Sequence, residues 1–178
     1  NAGGKIPVSE IQELYKSLSD GLEPLSEADW KDVTASGGRV MPLAKSSPLL
    51  AVDFRLTADE TTDDTVKSMT KIGNHVSHLD LSKSQVTDQV LSELSGMDRL
   101  VRLDLHQTNV GDAGLKNLKD LKNLRYLNLY GTQVSDAGLR HLKGLKSLRA
   151  VYLWNSKATA KGAKELEKAL PEAKINLR

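Results

Sequence analysis

The stretch LDLHQTNVGDAGLKNLKDLKNLRY, residues 103–126, is followed without a gap by LNLYGTQVSDAGLRHLKGLKSLRA, residues 127–150. The two align over 24 positions and set a period. Outward in both directions the period continues. LDLSKSQVTDQVLSELSGMDRLVR (79–102) precedes, VYLWNSKATAKGAKELEKALPEAK (151–174) follows, and INLR (175–178) opens a further copy. Upstream, VDFRLTADETTDDTVKSMTKIGNHVSH (52–78) fits as a divergent 27-residue copy, with Val66, Met69 and Ile72 in the places of Leu115, Leu118 and Leu121. Each unit reads as a short strand, a turn and a helix. In the L-x-L element Leu103 and Leu105 point inward and Asp104 outward, as a strand requires. Leu115, Leu118 and Leu121 form one apolar stripe at helical spacing. Asp112 and Asp136 stand just before that stripe, where a carboxylate acts as an N-cap. One unit cannot bury its own leucines, but stacked units make a continuous core.

The shared pattern, L-x-L-x-x-T-x-V-x-D-x-G-L-x-x-L-x-x-L-x-x-L, is that of a leucine-rich repeat. The expected fold is therefore an α/β leucine-rich-repeat solenoid of the ribonuclease-inhibitor-like kind, with about five repeats over residues 49–178. A column of Thr57, Ser84, Thr108, Thr132 and Ser156 is read as structural, its hydroxyls bonding backbone groups of their own or the neighbouring turn. Residues 5–48 read as a helical N-terminal cap, and residues 1–4 as a linker or expression scar. Ser9-Glu10-Ile11-Gln12 has capping-box spacing before an apolar face of Ile11, Leu14, Tyr15 and Leu18. Asp20-Gly21 ends that helix. A second short helix is expected from near Ser26, carrying Trp30 and ending at Gly37-Gly38, with Val40–Leu43 extended after it.

Composition narrows the function classes. Of 178 residues 29 are Leu, one is Phe and none is Cys. That excludes a disulfide framework, a thiolate metal site and a cysteine nucleophile within these residues. No run approaches the roughly 18 apolar residues of a membrane span, so no direct membrane insertion is expected. Net charge is −2 over residues 1–50, −3 over 51–102 and +7 over 103–178. Lys116, Lys119, Lys122, Arg140, Lys143 and Lys146 account for much of the basic excess. They alternate with apolar positions on the helix side, where such a run is a solvated face. Nucleic-acid binding needs basic groups beside aromatic ones, and here the two fall on opposite sides. No phosphate loop, H-E-x-x-H or G-x-S-x-G motif is present.

The outward strand positions are the candidate site. Every aromatic residue after Phe54 falls on this expected concave face: Tyr126, Tyr130, Tyr152 and Trp154. Tyr and Trp dominate binding hot spots, so these four are expected as anchors for a protein or peptide partner, with Arg102, His106 and Asn128 as polar partners. A glycan ring is a further possible ligand. The competing reading is that the rings stabilise the strands by stacking on each other, or are covered by another domain of the same parent. Asp53, Asp80 and Asp104 form an acidic column beside Arg55, His78, Arg102 and His106. It is expected to be a charge-paired face; metal binding or a carbohydrate-directed activity there is the weaker alternative. A regular row on an open face forms no water-excluding pocket, so no catalytic residues, no metal and no cofactor are expected. A monomer is expected.

The GDAGL and SDAGL turns (111–115, 135–139), the run LRYLNLYGTQVSDAGLRHLKGLKSLRAVYLWNSKAT (124–159), the closing KALPEAKINLR (168–178) and SPLLAVDF (47–54) carry a resemblance. The chain resembles the C-terminal leucine-rich-repeat region of membrane-attached, multidomain bacterial proteins that bear a c-type cytochrome domain further upstream. The resemblance implies a domain of a larger protein working in the periplasm or cell envelope. It supplies no catalytic residue to transfer.

Overall fold

The computed structural model describes residues 7–178. The expected linker at residues 1–4 lies outside the described residues. Seven strands form one sheet in chain order: β1 (Arg39–Pro42), β2 (Leu50–Asp53), β3 (Val76–Asp80), β4 (Arg102–Asp104), β5 (Tyr126–Asn128), β6 (Ala150–Tyr152) and β7 (Lys174–Asn176). β1 is antiparallel to β2, and every later pair is parallel. From β3 onward each residue pairs with its equivalent in the next repeat. Leu79 faces Leu103, then Leu127, Val151 and Ile175. The 24-residue period of the sequence is therefore the register of the sheet.

The helices are α1 (Val8–Ser19), α2 (Lys31–Ala35), α3 (Asp63–Lys67), α4 (Asp88–Glu93), α5 (Asp112–Leu115), α6 (Asp136–Leu139) and α7 (Ala160–Ala169). In the two most regular repeats the expected helix is a single α-turn that passes into a 3-10 turn, Lys116–Leu118 after α5 and Arg140–Leu142 after α6. The leucine spacing explains this. Leu115, Leu118, Leu121 and Leu124 recur every third residue, which is the period of a 3-10 helix rather than of an α-helix. The i to i−3 bonds continue past the helix, Leu121 N to Leu118 O at 3.0 Å and Leu124 N to Leu121 O at 3.1 Å. Among the repeats only α7, with ten residues, runs close to three turns. Its apolar residues Ala163, Leu166 and Leu170 follow the α-helical period, among the strong helix formers of KELEKAL.

One core runs the length of the solenoid, from Trp30 and Val33 through Leu50 and Phe54 to Leu166 and Leu170. The leucines at 103, 105, 115, 118, 121, 124, 127 and 129 are fully buried. Truncating any one of them costs about 2–5 kcal/mol by loss of transfer energy and creation of a cavity. The hydroxyl column behaves as expected. Ser84, Thr108, Thr132 and Ser156 each donate to the carbonyl three residues back, that of Leu81, Leu105, Leu129 and Leu153, at 2.6–2.7 Å.

The aspartates differ from expectation. Asp112 and Asp136 are the first residues of their helices, and the N-caps are Gly111 and Ser135. Each carboxylate instead reaches the N-cap of the following repeat. Asp63 accepts from Thr87 N and Oγ1 at 2.9 and 2.7 Å, Asp88 from Gly111 N at 2.6 Å, Asp112 from Ser135 N and Oγ at 2.7 and 2.6 Å, and Asp136 from Thr159 N and Oγ1, both at 2.7 Å. The glycine at the third position of α5, α6 and α7, in D-A-G twice and in A-K-G at residues 160–162, now has a reason. A Cβ on Gly114, Gly138 or Gly162 would run into the Asp88, Asp112 or Asp136 carboxylate of the preceding repeat.

The N-terminal segment also differs. Ser9 is not a cap. α1 starts two residues earlier than a Ser9 cap would give, with Pro7 at the N-cap, whose carbonyl takes Ile11 N at 3.2 Å. The proline ring fixes φ, here −55°, and its missing N–H leaves one fewer donor to satisfy. The second helix begins at Lys31 rather than near Ser26, because Asp29 Oδ2 takes both Ser26 N and Ser26 Oγ at 2.7 Å and closes a separate turn. Trp30 is the buried N-cap of α2. Gly37, at φ +90°, ends α2. α2 and β1 close the first end of the solenoid.

α1 does not sit at that end. It lies along the flank, across the N-terminal ends of successive strands. Tyr15 reaches His78 on β3, Leu18 packs with Val101 beside β4, and Glu10 reaches Arg125 and Arg149 beside β5 and β6.

Candidate functional site

The strand register builds three side-chain columns on the open face. The first is Ala51, His78, Arg102, Tyr126, Ala150 and Lys174; the second is Asp53, Asp80, Asp104, Asn128, Tyr152 and Asn176. The third, just beyond the strands, holds Arg55, Ser82, His106, Tyr130, Trp154 and Arg178 at the same period.

The second column carries a repeated backbone contact. Asp53, Asp80, Asp104 and Asn128 each accept, through Oδ1, the backbone N–H two residues on, at 3.3, 3.0, 3.0 and 3.1 Å. These side chains hold the chain in its turn out of the strand. The carboxylates are further engaged by cations and donors. Asp53 pairs with Arg39 at 2.7 Å and Arg55 at 3.2 Å, and Arg55 reaches Asp80 at 3.4 Å. Burial raises the proton affinity of Asp53, but the hydrogen bonds from Arg55 and Arg39 outweigh it and hold the carboxyl below the usual range. Asp104 accepts from Asn128 Nδ2 at 3.1 Å and contacts His106 Nδ1 at 2.8 Å. Arg39 supplies a pairing that the repeats alone do not contain. Arg102 and His78 do not join this network. Arg102 lies 4.1 Å over the Tyr126 ring, a cation–π contact, and His78 turns to Tyr15. Among the described residues no three His, Asp or Glu side chains converge as a metal site would require.

The aromatic residues converge as the repeat spacing places them. Tyr130 and Trp154 stack with centroids 5.2 Å apart and planes 25° apart, and His106 extends the stack below Tyr130 at 6.1 Å. Tyr126 meets Tyr152 across the columns at 5.2 Å. The rings therefore touch one another and also face outward: Trp154 is 60% exposed and Tyr152 37%. Together with Asn128, Asn176 and Arg178 they line a single shallow groove. Burial, and then the nearby Asp104 carboxylate, push the Tyr126 hydroxyl above its ordinary range, so it remains a neutral donor. All seven residues singled out in the sequence, Arg102, His106, Tyr126, Asn128, Tyr130, Tyr152 and Trp154, fall within this patch or on its border. Asn176 and Arg178 were legible as further outward positions of the same repeat. Tyr15 and His78 gave no such signal, because their pairing spans 63 residues.

Among the described residues no helix is long and apolar enough to cross a membrane. No curated protein matches the chain in sequence. Among solved structures it is similar to an internalin from Listeria monocytogenes, at 17% identity and a TM-score of 0.43, over 62% of this chain and 38% of that one. It is also similar to a leucine-rich-repeat protein from Leptospira interrogans, at 19% identity and a TM-score of 0.43, over 61% of this chain and 33% of that one. The chain thus spans well under half the length of either. Residues 120–143, one full period, match the model of the Leucine Rich repeat family. That match, the 24-residue register of the sheet and the buried leucine columns make the chain a leucine-rich-repeat solenoid of α/β type.

Proposed function

We propose that the chain is a non-catalytic recognition module that binds a protein or peptide partner through the strand face, with Tyr126, Tyr130, Tyr152 and Trp154 as anchors. The observation that carries this reading is the position of Trp154. A tryptophan 60% exposed at the open end of a ring stack offers a large apolar area at small entropic cost. Arg102, His106, Asn128 and Arg178 around it supply the polar rim that such a patch uses for orientation. The engagement of Asp53, Asp80 and Asp104 with backbone N–H groups and arginines favours recognition over acid–base chemistry. The open, shallow groove favours it as well. In the same proposal the module is part of a larger bacterial envelope protein. Its parent, by the resemblance of its repeats, carries a c-type cytochrome domain, and the partner is either a separate protein or another domain of that parent.

The test is capture of partners from an envelope extract by the chain and by two variants. Tyr130→Ala/Trp154→Ala removes the stack, whereas Lys119→Ala/Lys143→Ala alters only the helix side. A species captured by the parent chain and the lysine variant but lost with the aromatic variant supports the assignment. Capture that survives Tyr130→Ala/Trp154→Ala overturns it.

A further inference from the structure

α1 is a weakly held element in an otherwise densely buried protein. Of its twelve residues only Leu18 is buried; Leu14 and Tyr15, like Glu10, Ile11 and Ser19, are half-buried. Leu14, Tyr15 and Leu18 pack with Leu49 and Val101 in a small apolar cluster separate from the main core. A twelve-residue helix is marginal by itself, so α1 is helical because it is docked. Elements with so little buried area open at low free-energy cost. Three residues of α1 carry its polar contacts: Glu10 pairs with Arg125 at 2.7 Å and Arg149 at 3.8 Å, the Leu18 carbonyl accepts from Arg99 Nε at 2.8 Å, and the Tyr15 hydroxyl meets His78 Nε2 at 2.7 Å. The third involves a group that titrates under physiological conditions. The Tyr15 ring meets the imidazole edge-on, with centroids 5.9 Å apart.

We propose that α1 is an acid-released strap: protonation of His78 undocks the helix from the strand ends and uncovers Val101, Leu49 and the first column of the strand face.

Burial and the Arg102 charge disfavour an imidazolium at position 78. α1 contributes Tyr15, whose hydroxyl burial pushes up, so it stays neutral across the relevant range. Glu13 and Lys16 of α1 are exposed on its outer surface. β4 contributes Arg102, a like charge. The carboxylates lining the same stretch, Asp53, Asp80 and Asp104, are engaged by Arg39, Arg55 and His106. Burial, with repulsion from Arg102 second, takes the His78 pKa down to about 4. Released from α1, the imidazole returns toward its ordinary value of about 6.5. The docked state thus holds the neutral form. Its stability is complete above pH ~6.5 and is lost progressively as pH falls toward ~4. By pH ~5 the docking equilibrium falls by at most roughly 30-fold, the limit set by full return to the ordinary value; Arg102 stays beside the released imidazole and lowers that limit.

Amide hydrogen exchange at pH 7 and pH 5, corrected for intrinsic rates, tests this on the whole chain. The expected result is a loss of protection of up to about 20-fold over residues 11–19, with Leu103 and Leu127 unchanged. In His78→Gln, which keeps a polar partner for Tyr15 but does not titrate, the loss should vanish. That separates His78 from any contribution of Glu10. Unchanged α1 protection in the parent chain, or the same loss in His78→Gln, overturns the proposal. Should His78→Gln fail to dock at pH 7, the imidazole titration itself decides, read by NMR. A midpoint well below 6 in the parent that rises by about a unit or more in Tyr15→Ala supports the strap; a parent midpoint near 6.5, or no rise in Tyr15→Ala, overturns it.

Discussion

The Oδ1 atom of Asp112 lies against the bare Cα of Gly138 and accepts its N–H at 3.0 Å, while Ser135 of the same turn donates to both carboxylate oxygens. The contact crosses from one repeat to the next. It makes the D-A-G triplet a clasp in which the aspartate of one unit needs the glycine of the following one.

Gly138→Ala should therefore cost about 2 kcal/mol or more, through displacement of a hydrogen-bonded carboxylate rather than through helix propensity, which favours alanine. Urea denaturation measures it. In an Asp112→Ala background the same substitution should cost much less, and additivity of the two changes would refute the clasp.

Part of this was legible in the sequence and part was not. The inward leucines, the hydroxyl column and the aromatic columns could be read because each role is set by position within one period. Asp112 could not be read in the same way. A residue before an apolar stripe ordinarily caps its own helix, and only the three-dimensional stack shows its carboxylate closer to the next turn. Leu115, Leu118 and Leu121 fit both α and 3-10 spacing over so short a run, and burial of all three, with Leu124, selects the tighter helix. The place of α1 was hidden for another reason: Glu10 and Arg125 are 115 residues apart, and nothing in the period links them.

Thr132→Val should destabilise the chain by about 1–2 kcal/mol, because it leaves the buried Leu129 carbonyl without the hydroxyl that meets it at 2.7 Å. Thr132→Ser should cost less, since the donor is kept. Thermal or urea melts of the two variants, compared at equal pH, check this ordering.

The turn after each aromatic-column residue passes through left-handed backbone. Lys83, Gln107, Gly131 and Asn155 occupy the same position in successive repeats, at φ of +62°, +55°, +67° and +55°. Only one of the four is glycine. Gln107→Gly should stabilise by about 0.5–1 kcal/mol by relieving the Cβ clash of that conformation. Gly131→Ala should destabilise by about 1 kcal/mol, its Cβ also pressing Gln107 Cγ at 3.1 Å.

Trp154→Ala should leave stability within about 1.5 kcal/mol of the parent, since the side chain is mostly exposed and loses chiefly its stacking on Tyr130. Tyr130→Ala should cost more, being half-buried between His106 and Trp154. A scan of melting temperatures for both shows whether binding loss can be read free of unfolding.

Asp136 is held below the usual carboxylate range first by the backbone N–H and then by the hydroxyl of Thr159. A group lowered in this way contributes stability above about pH 3.8 that disappears as pH falls through its folded value. The urea midpoint should thus drop below pH ~4, and drop less in Asp136→Asn. This range lies beneath the one in which His78 acts, so the two acid responses separate on a single pH series.

The alignment of repeats 24 residues apart has a mechanical consequence. Each rung grips only its neighbours, so a chain pulled from its C-terminal end would peel one rung at a time. Every step would release roughly 80 Å of extended polypeptide. Pulled from the other end, the force would first tear α1 from the several rungs it crosses. The same molecule would then resist as a zipper from one side and as a rivet from the other.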